Sequence, residues 1–85
     1  MYDVLERETV RWEEAVSALQ YDGEACLSYV YAMSDRIASG CMALLSRIER
    51  QPSLPWDLFD RVRCVLADAN GLHEDLQDTL LAYSL

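Results

Sequence analysis

The single histidine of the chain does not form a recognisable catalytic or metal-binding pattern. His73 is followed by Glu74, Asp75 and Asp78 within two turns of a predicted helix. In a zinc-protease helix a second histidine lies four positions after the first, but Gln77 occupies that position here. Asp75 and Asp78 project to the polar side of the helix, so they do not converge with His73 on one ion. We therefore interpret His73 as a residue at the core boundary and expect no metal site.

Nucleophilic catalysis would have to pair His73 with a serine or a cysteine. The sequence has neither a glycine-flanked serine elbow nor a glycine-rich phosphate loop, since it holds only three glycines. The adjacent Glu13 and Glu14 fall on a polar helix face, where we expect solvated charge rather than acid–base chemistry. A small helical bundle also offers little concave volume for a substrate. We therefore expect no enzyme activity, no catalytic residue and no cofactor.

The number and spacing of the cysteines indicate a reducing cellular compartment and do not indicate a reaction. Cys26, Cys41 and Cys64 are odd in number and lack the short spacing of a zinc knuckle or a redox pair. Each lies on or near an apolar helical stripe, so we expect all three to be reduced and at least partly buried. Charge appears by Asp3, which argues against a signal peptide, and no apolar run has the length of a membrane span. We expect a cytoplasmic location.

The charge balance excludes one class of partner. The chain carries 15 acidic and 7 basic residues, for a net charge of −8. Such a surface repels phosphate backbones and anionic lipid. We therefore expect neither direct nucleic-acid binding nor membrane binding.

The first predicted helix spans about residues 3–20, where apolar residues recur at helical spacing. Its stripe comprises Leu5, Trp12, Val16 and Leu19, with Thr9 and Ala15 at the edges. Gly23 then supplies a stop signal, or Asp22 a cap for the next helix. A helix continuous through this point is the alternative.

The second predicted helix spans about residues 23–50. Its main stripe comprises Cys26, Val30, Met33, Ile37, Cys41, Leu44 and Ile48, and Leu27, Ala38 and Leu45 widen it. The opposite face comprises Ala25, Ser28, Ala32, Ser39, Ala43 and Ser46. This small, uncharged face fits either close approach of a neighbouring helix or a tolerant solvent face.

The third predicted helix spans about residues 55–83. Pro52 ends the preceding helix, and Pro55 suits the first turn of the next one, with Ser53 or Leu54 as its cap. The stripe comprises Leu58, Val62, Val65, Leu66, Ala69, Leu72, Leu76, Leu80 and Tyr83. Asn70-Gly71 is a potential break, but the apolar phase continues through it, so we expect one helix.

These elements predict an all-α protein with a single domain over residues 1–85. The two long helices form an antiparallel hairpin, and the shorter N-terminal helix packs against it. The result is a three-helix bundle, or a four-helix-type bundle if two hairpins dimerise.

The apolar stripe of the second helix is wider than one antiparallel neighbour covers, which predicts an interface. Tyrosine and tryptophan at half-exposed positions are common at such surfaces. The candidate interface residues are Leu27, Tyr31, Ala38, Met42, Leu45 and Trp56. We expect these residues to pair two copies into a homodimer.

The function that fits these features is a non-catalytic protein–protein interaction module, such as an adaptor, an anti-activator or an inhibitor of a larger protein. An alternative is a phage-type anti-defence inhibitor, whose acidic helix faces mimic nucleic acid. A structural subunit of a larger assembly is a third possibility.

Overall fold

The computed structural model describes residues 1–21 and 26–83, with the side chains of Leu80 and Tyr83 outside the description. Three helices account for most of these residues: α1 (Tyr2–Tyr21), α2 (Leu27–Glu49) and α3 (Trp56–Tyr83). Over the described ranges there is no strand. The predicted all-α class and three-helix architecture are confirmed. The proposed roles of Asp22 and Gly23 fall outside the described residues.

The core lies mainly between α2 and α3, which share the most extensive helix–helix interface. Tyr31, near the start of α2, stacks on His73, late in α3, so the two helices run antiparallel. Buried side chains recur every three or four residues along both helices, as the apolar stripes predicted. They are Val30, Ser34, Ile37, Cys41, Leu44 and Ile48 of α2, and Leu58, Val62, Val65 and Ala69 of α3.

Helix α1 closes one side of this hairpin and contacts both of its helices. Its buried residues are Leu5, Thr9, Val16 and Leu19. Thr9, predicted at the edge of the stripe, is fully buried, and its hydroxyl donates to the Leu5 carbonyl at 2.8 Å. The internal bond removes the cost of burying that hydroxyl. The molecule is elongated, with extents of 50 × 21 × 15 Å.

The helix boundaries differ slightly from the sequence prediction. Cys26 is extended (φ −71°, ψ 151°) and α2 begins at Leu27, so α1 and α2 are separate helices. The Pro55 carbonyl accepts the first α3 hydrogen bond, from the Phe59 amide at 3.0 Å. Pro55 is therefore the residue that precedes the helix, and the predicted cap at Ser53 or Leu54 is wrong by one or two positions.

Two alternatives from the sequence are decided by the packing. Helix α3 continues through Gly71 with a negative φ, which confirms the prediction of one helix. On α2, the small residues Ala32, Ser39 and Ser46 are exposed, so most of that face is a solvent face. None of the described helices is both long enough and apolar enough to cross a membrane.

Candidate interaction surface

His73 lies beside a serine, but the hydrogen bonds of this pair do not favour catalysis. The Ser34 hydroxyl is fully buried and donates to the Tyr31 carbonyl at 2.9 Å. A hydroxyl has one proton, so with that proton on the Tyr31 carbonyl Ser34 accepts from Nδ1 of His73, 3.3 Å away, in the tautomer that carries a proton on Nδ1. In this arrangement His73 does not take a proton from Ser34. The half-buried imidazole also stacks on Tyr31, with ring centroids 4.2 Å apart. The three residues form a structural cluster at the core boundary.

The carboxylates of α1 take part in helix–helix contacts. Glu13 was expected to be solvated, but it is half-buried and forms a two-point ion pair with Arg61 of α3, at 2.6 Å and 3.2 Å. The contact with Glu13 raises the pKa of the Arg61 guanidinium. Glu14 is exposed, as expected. Among the described residues, no three His, Cys, Asp or Glu side chains form a group that could hold a metal ion.

The cysteines are free, but their predicted burial is wrong for two of them. Cys41 is buried, and desolvation raises the pKa of its thiol to about 11. Cys26 and Cys64 are exposed. Cys26 precedes the first turn of α2, where a hydrogen bond with Ser28 and one from the Tyr29 amide lower its thiol pKa. The sequence analysis assigned Cys26 to the stripe of α2 because of its helical spacing. Spacing alone does not show that the helix begins only at Leu27.

Two small grooves follow the contact between α1 and α2. The first, of about 170 Å³, is lined by Ala15, Ala18, Leu19, Tyr29 and Met33. The second, of about 210 Å³, is lined by Glu8, Arg11, Trp12, Gly40, Ala43, Leu44 and Arg47. Both volumes are below the roughly 300–1,000 Å³ that is usual for small-molecule sites. A third depression of about 320 Å³ is lined by α3 alone, so it is an open helix surface.

The side of the hairpin that faces away from α1 carries a run of apolar side chains, and we call this run the outer hairpin face. Helix α1 packs on the side of α2 that carries Met33 and Gly40. At 100° per residue, Tyr31, Ala38 and Leu45 lie on the opposite side of the α2 core stripe. The face comprises Leu27, Tyr31, Ala38, Met42 and Leu45 of α2, and Trp56, Phe59, Leu66 and His73 of α3.

Side chains on this face are arranged in layers. Tyr31 and His73 form the first layer, in direct ring contact. Because α2 and α3 are antiparallel, moving seven residues forward on α2 corresponds to moving seven backward on α3. Ala38 thus lies level with Leu66. Seven residues further on, Leu45 lies level with Phe59. Ala38, Leu45, Phe59 and Leu66 are all partly buried and pack against the core.

All six candidate interface residues lie on the outer hairpin face. Tyr31, Ala38 and Leu45 are half-buried. Leu27, Met42 and Trp56 are 41%, 61% and 64% exposed, large values for such apolar side chains. Trp56 also contacts Phe59 edge-to-face, with ring centroids 5.7 Å apart.

The sequence interpretation did not assign Phe59, Leu66 and His73 to the candidate interface. The signal was present, because these residues are seven apart on α3 and mirror the spacing of Tyr31, Ala38 and Leu45 on α2. Recognising it required the register between the two helices, which helical periodicity alone does not supply.

Charged residues also lie on the outer hairpin side. At 100° per residue, Glu49 has the same angle as Tyr31 and Glu74 the same angle as Trp56. Asp35 of α2 and Arg63 of α3 are exposed on the same side. The Arg63 guanidinium lies 5.8 Å from the centroid of the Phe59 ring. The layers themselves, from Tyr31 and His73 to Leu45 and Phe59, contain no Asp, Glu, Lys or Arg, although the chain as a whole has a charge of −8.

Three other acidic residues of α3 lie on a different side of the helix from the outer hairpin face. Asp57 contacts Tyr2 of α1, and the neighbouring positions Asp68 and Asp75 follow on the same side of α3. These acids are therefore directed towards α1 or solvent rather than over the hairpin layers.

Comparisons with known proteins add no relative to this description: no family model, curated protein or solved structure matches the chain.

Proposed function

We propose that this protein is a non-catalytic protein–protein interaction module that binds through its outer hairpin face. The observation that carries the proposal is the joint exposure of Met42 and Trp56 on one face, around a centre of partly buried apolar residues. Contiguous apolar surface of this kind on a small protein typically marks an interface. Aromatic residues, methionine and arginine are also enriched at protein interfaces, and this face holds all three.

The arrangement of polar groups supports a binding role over catalysis. Ser34 is fully buried, and its proton is engaged by a backbone carbonyl, so it is a poor nucleophile. The grooves beside α1 are small. Three free thiols support the cytoplasmic location that we propose for the module.

The nucleic-acid mimic is the weaker alternative. Such a mimic presents unpaired carboxylates to a basic partner. Here Glu8 pairs with Arg47 at 2.5 Å, Glu13 pairs with Arg61, and Asp57 accepts from Tyr2. These acids stabilise the bundle, which leaves them less available to a partner.

Site-specific photocrosslinking tests the proposal. A photoreactive amino acid at Met42 would place the probe on the outer hairpin face, and the same residue at Val4 is the matched control. Val4 is an exposed apolar residue of α1, distant from that face. After irradiation in cells that express the chain, we expect a discrete adduct from position 42 that position 4 does not give. Equal labelling from both positions, or no adduct from position 42, would contradict the proposal.

A further inference from the structure

We propose that the occupant of the outer hairpin face is a second copy of this chain, related by a two-fold axis parallel to α2 and α3. The inference rests on the proposed function and names its partner. It follows from the size of the face, the sizes of the side chains in its layers and the charges beside those layers.

The face is large enough for a stable dimer. Helix α2 has 23 residues, which at 1.5 Å per residue gives a length of about 34 Å. Two packed helices with axes about 10 Å apart present a width of about 20 Å. Each copy would therefore bury about 700 Å², and the pair about 1,400 Å², which is within the standard range for specific interfaces.

The layers favour one of two possible axes. With the axis parallel to the helices, α2 of one copy faces α3 of the other, and each layer meets its own equivalent. Ala38 then lies opposite the partner copy's Leu66, so a small side chain meets a large one. With the axis across the helices and through the middle layer, Ala38 would face Ala38 and Leu66 would face Leu66, which leaves a gap at one point and crowding at the other. Close packing favours the parallel axis.

The charges beside the layers favour the same axis. In this arrangement α2 of one copy, with Asp35 and Glu49, faces α3 of the other, with Arg63 and Glu74. In the layer register Arg63 lies level with Cys41, about 9 Å along the helix from Asp35 and about 12 Å from Glu49. With the axis across the helices, α2 would instead face α2, and the acidic residues of the two copies would repel each other.

The net charge explains why a second copy fits this face. Two copies of a chain with a charge of −8 repel each other, so they associate only through a surface that keeps its acids away from the contact. The layers of the outer hairpin face contain no Asp, Glu, Lys or Arg, and the charged residues around them include both signs. A strongly basic partner would instead be drawn to the acidic sides of α1 and α3.

Sedimentation equilibrium of the purified chain is the first test. At about 100 μM we expect a mass of twice 9.7 kDa, and dissociation upon dilution. Met42→Glu should weaken association at least tenfold because it places a charge on the contact. Val4→Glu adds the same charge outside the face and should leave association within about twofold. A wild-type monomer at this concentration, or equal effects of the two variants, would overturn the proposal.

Two further variants test the axis. Ala38→Leu should weaken the dimer, since it crowds the partner copy's Leu66, whereas it would strengthen a dimer in which Ala38 faces Ala38. Arg63→Glu should weaken association about threefold to fivefold at low salt, and adding Asp35→Arg, the nearer acid of the facing helix, should restore part of it. Strengthening by Ala38→Leu, or no restoration in the double variant, would overturn the parallel axis.

The crosslinking result separates this inference from the function on which it rests. An adduct of twice the chain mass from position 42 supports both. An adduct with a different protein, together with a monomer by sedimentation, refutes the second copy and retains the interaction module. The absence of any adduct refutes both.

Discussion

The backbone of Gly40 in α2 lies directly against the indole of Trp12 in α1, at a distance that leaves no room for a side chain at position 40. A Cβ at position 40 would lie 2.7 Å from Cε2 of Trp12 and closer still to Cζ2. This contact places α1 on its side of the hairpin and so leaves the outer hairpin face open. The glycine is required by the close approach of the helices, since its φ is negative.

Gly40→Ala should therefore destabilise the protein, although alanine is the better helix former. Overpacking costs about 1–3 kcal/mol, and helix propensity returns about 1 kcal/mol. We expect a net loss of up to about 2 kcal/mol in the free energy of unfolding, measured by urea denaturation.

Gly71→Ala is the matched control for that variant. Nothing lies within 4 Å of a Cβ built at position 71, so alanine there should raise stability by about 0.5–1 kcal/mol. Adding Trp12→Phe to Gly40→Ala should recover part of the stability that Gly40→Ala loses, because the smaller ring leaves room for the new methyl group. A Gly40→Ala protein as stable as the Gly71→Ala protein would show that the indole moves aside freely.

The ion pair between Glu13 and Arg61 should stabilise the docking of α1 by a modest amount. Both side chains retain about a third of their exposure, so solvent screens the pair despite its two-point geometry. A double-mutant cycle with Glu13→Gln and Arg61→Met should give a coupling energy of about 0.5–1 kcal/mol that falls in high salt. A coupling near zero at low salt would mean that the pair does not stabilise the bundle.

The contact between Tyr2 and Asp57 should appear in the pH dependence of the free energy of unfolding. The hydrogen bond from Tyr2 lowers the pKa of the Asp57 carboxyl, and the same bond raises the pKa of the Tyr2 phenol. Its contribution is thus present above the ordinary aspartate value of 3.8 and is lost as the pH falls through the lower folded value. At the alkaline end, it persists up to the ordinary tyrosine value of 10.0 and is lost as the pH rises through the higher folded value.

Tyr2→Phe isolates that hydrogen bond. We expect the pKa of the Asp57 carboxyl to rise towards its ordinary value, measured by the pH dependence of its carboxyl carbon shift in NMR. Tyr29→Phe removes a hydroxyl that is distant from Asp57 and should leave this titration unchanged. An identical Asp57 titration in the wild type and in Tyr2→Phe would refute the contact.

Thiol labelling should distinguish the three cysteines. Cys26 and Cys64 are exposed and should react rapidly with Ellman's reagent in the native protein. Cys41 is buried with a thiol pKa of about 11, so it should react only upon unfolding. Rapid reaction of all three native thiols, or of none, would contradict this assignment.

Much of the fold could be predicted because burial imposes a helical period on the apolar residues. Ile37, Leu44 and Leu58 were assigned to core stripes from spacing alone and are buried. Spacing also kept α3 intact through Gly71, since the apolar phase continues past it.

The remaining features depend on contacts between helices, which a one-dimensional pattern does not contain. The ion pair of Glu13 requires the register of α1 against α3, and the role of Gly40 requires the position of Trp12. Burial of Ser34 was likewise missed, because its hydroxyl is satisfied by Tyr31 and His73 rather than by water. The α3 half of the outer hairpin face was missed for the same reason.

The central claim is that a second copy covers the outer hairpin face, and the Met42 methyl group reports on it most directly. Methyl-labelled methionine gives three NMR signals in this chain, and two of them serve as internal references. In a single copy Met1 is 74% exposed, Met42 is 61% exposed and Met33 is half-buried. A soluble paramagnetic agent should relax the Met1 signal strongly and the Met33 signal weakly. We predict that Met42 behaves like Met33 at high protein concentration and like Met1 upon dilution. A Met42 signal that relaxes as fast as Met1 at every concentration would contradict the claim.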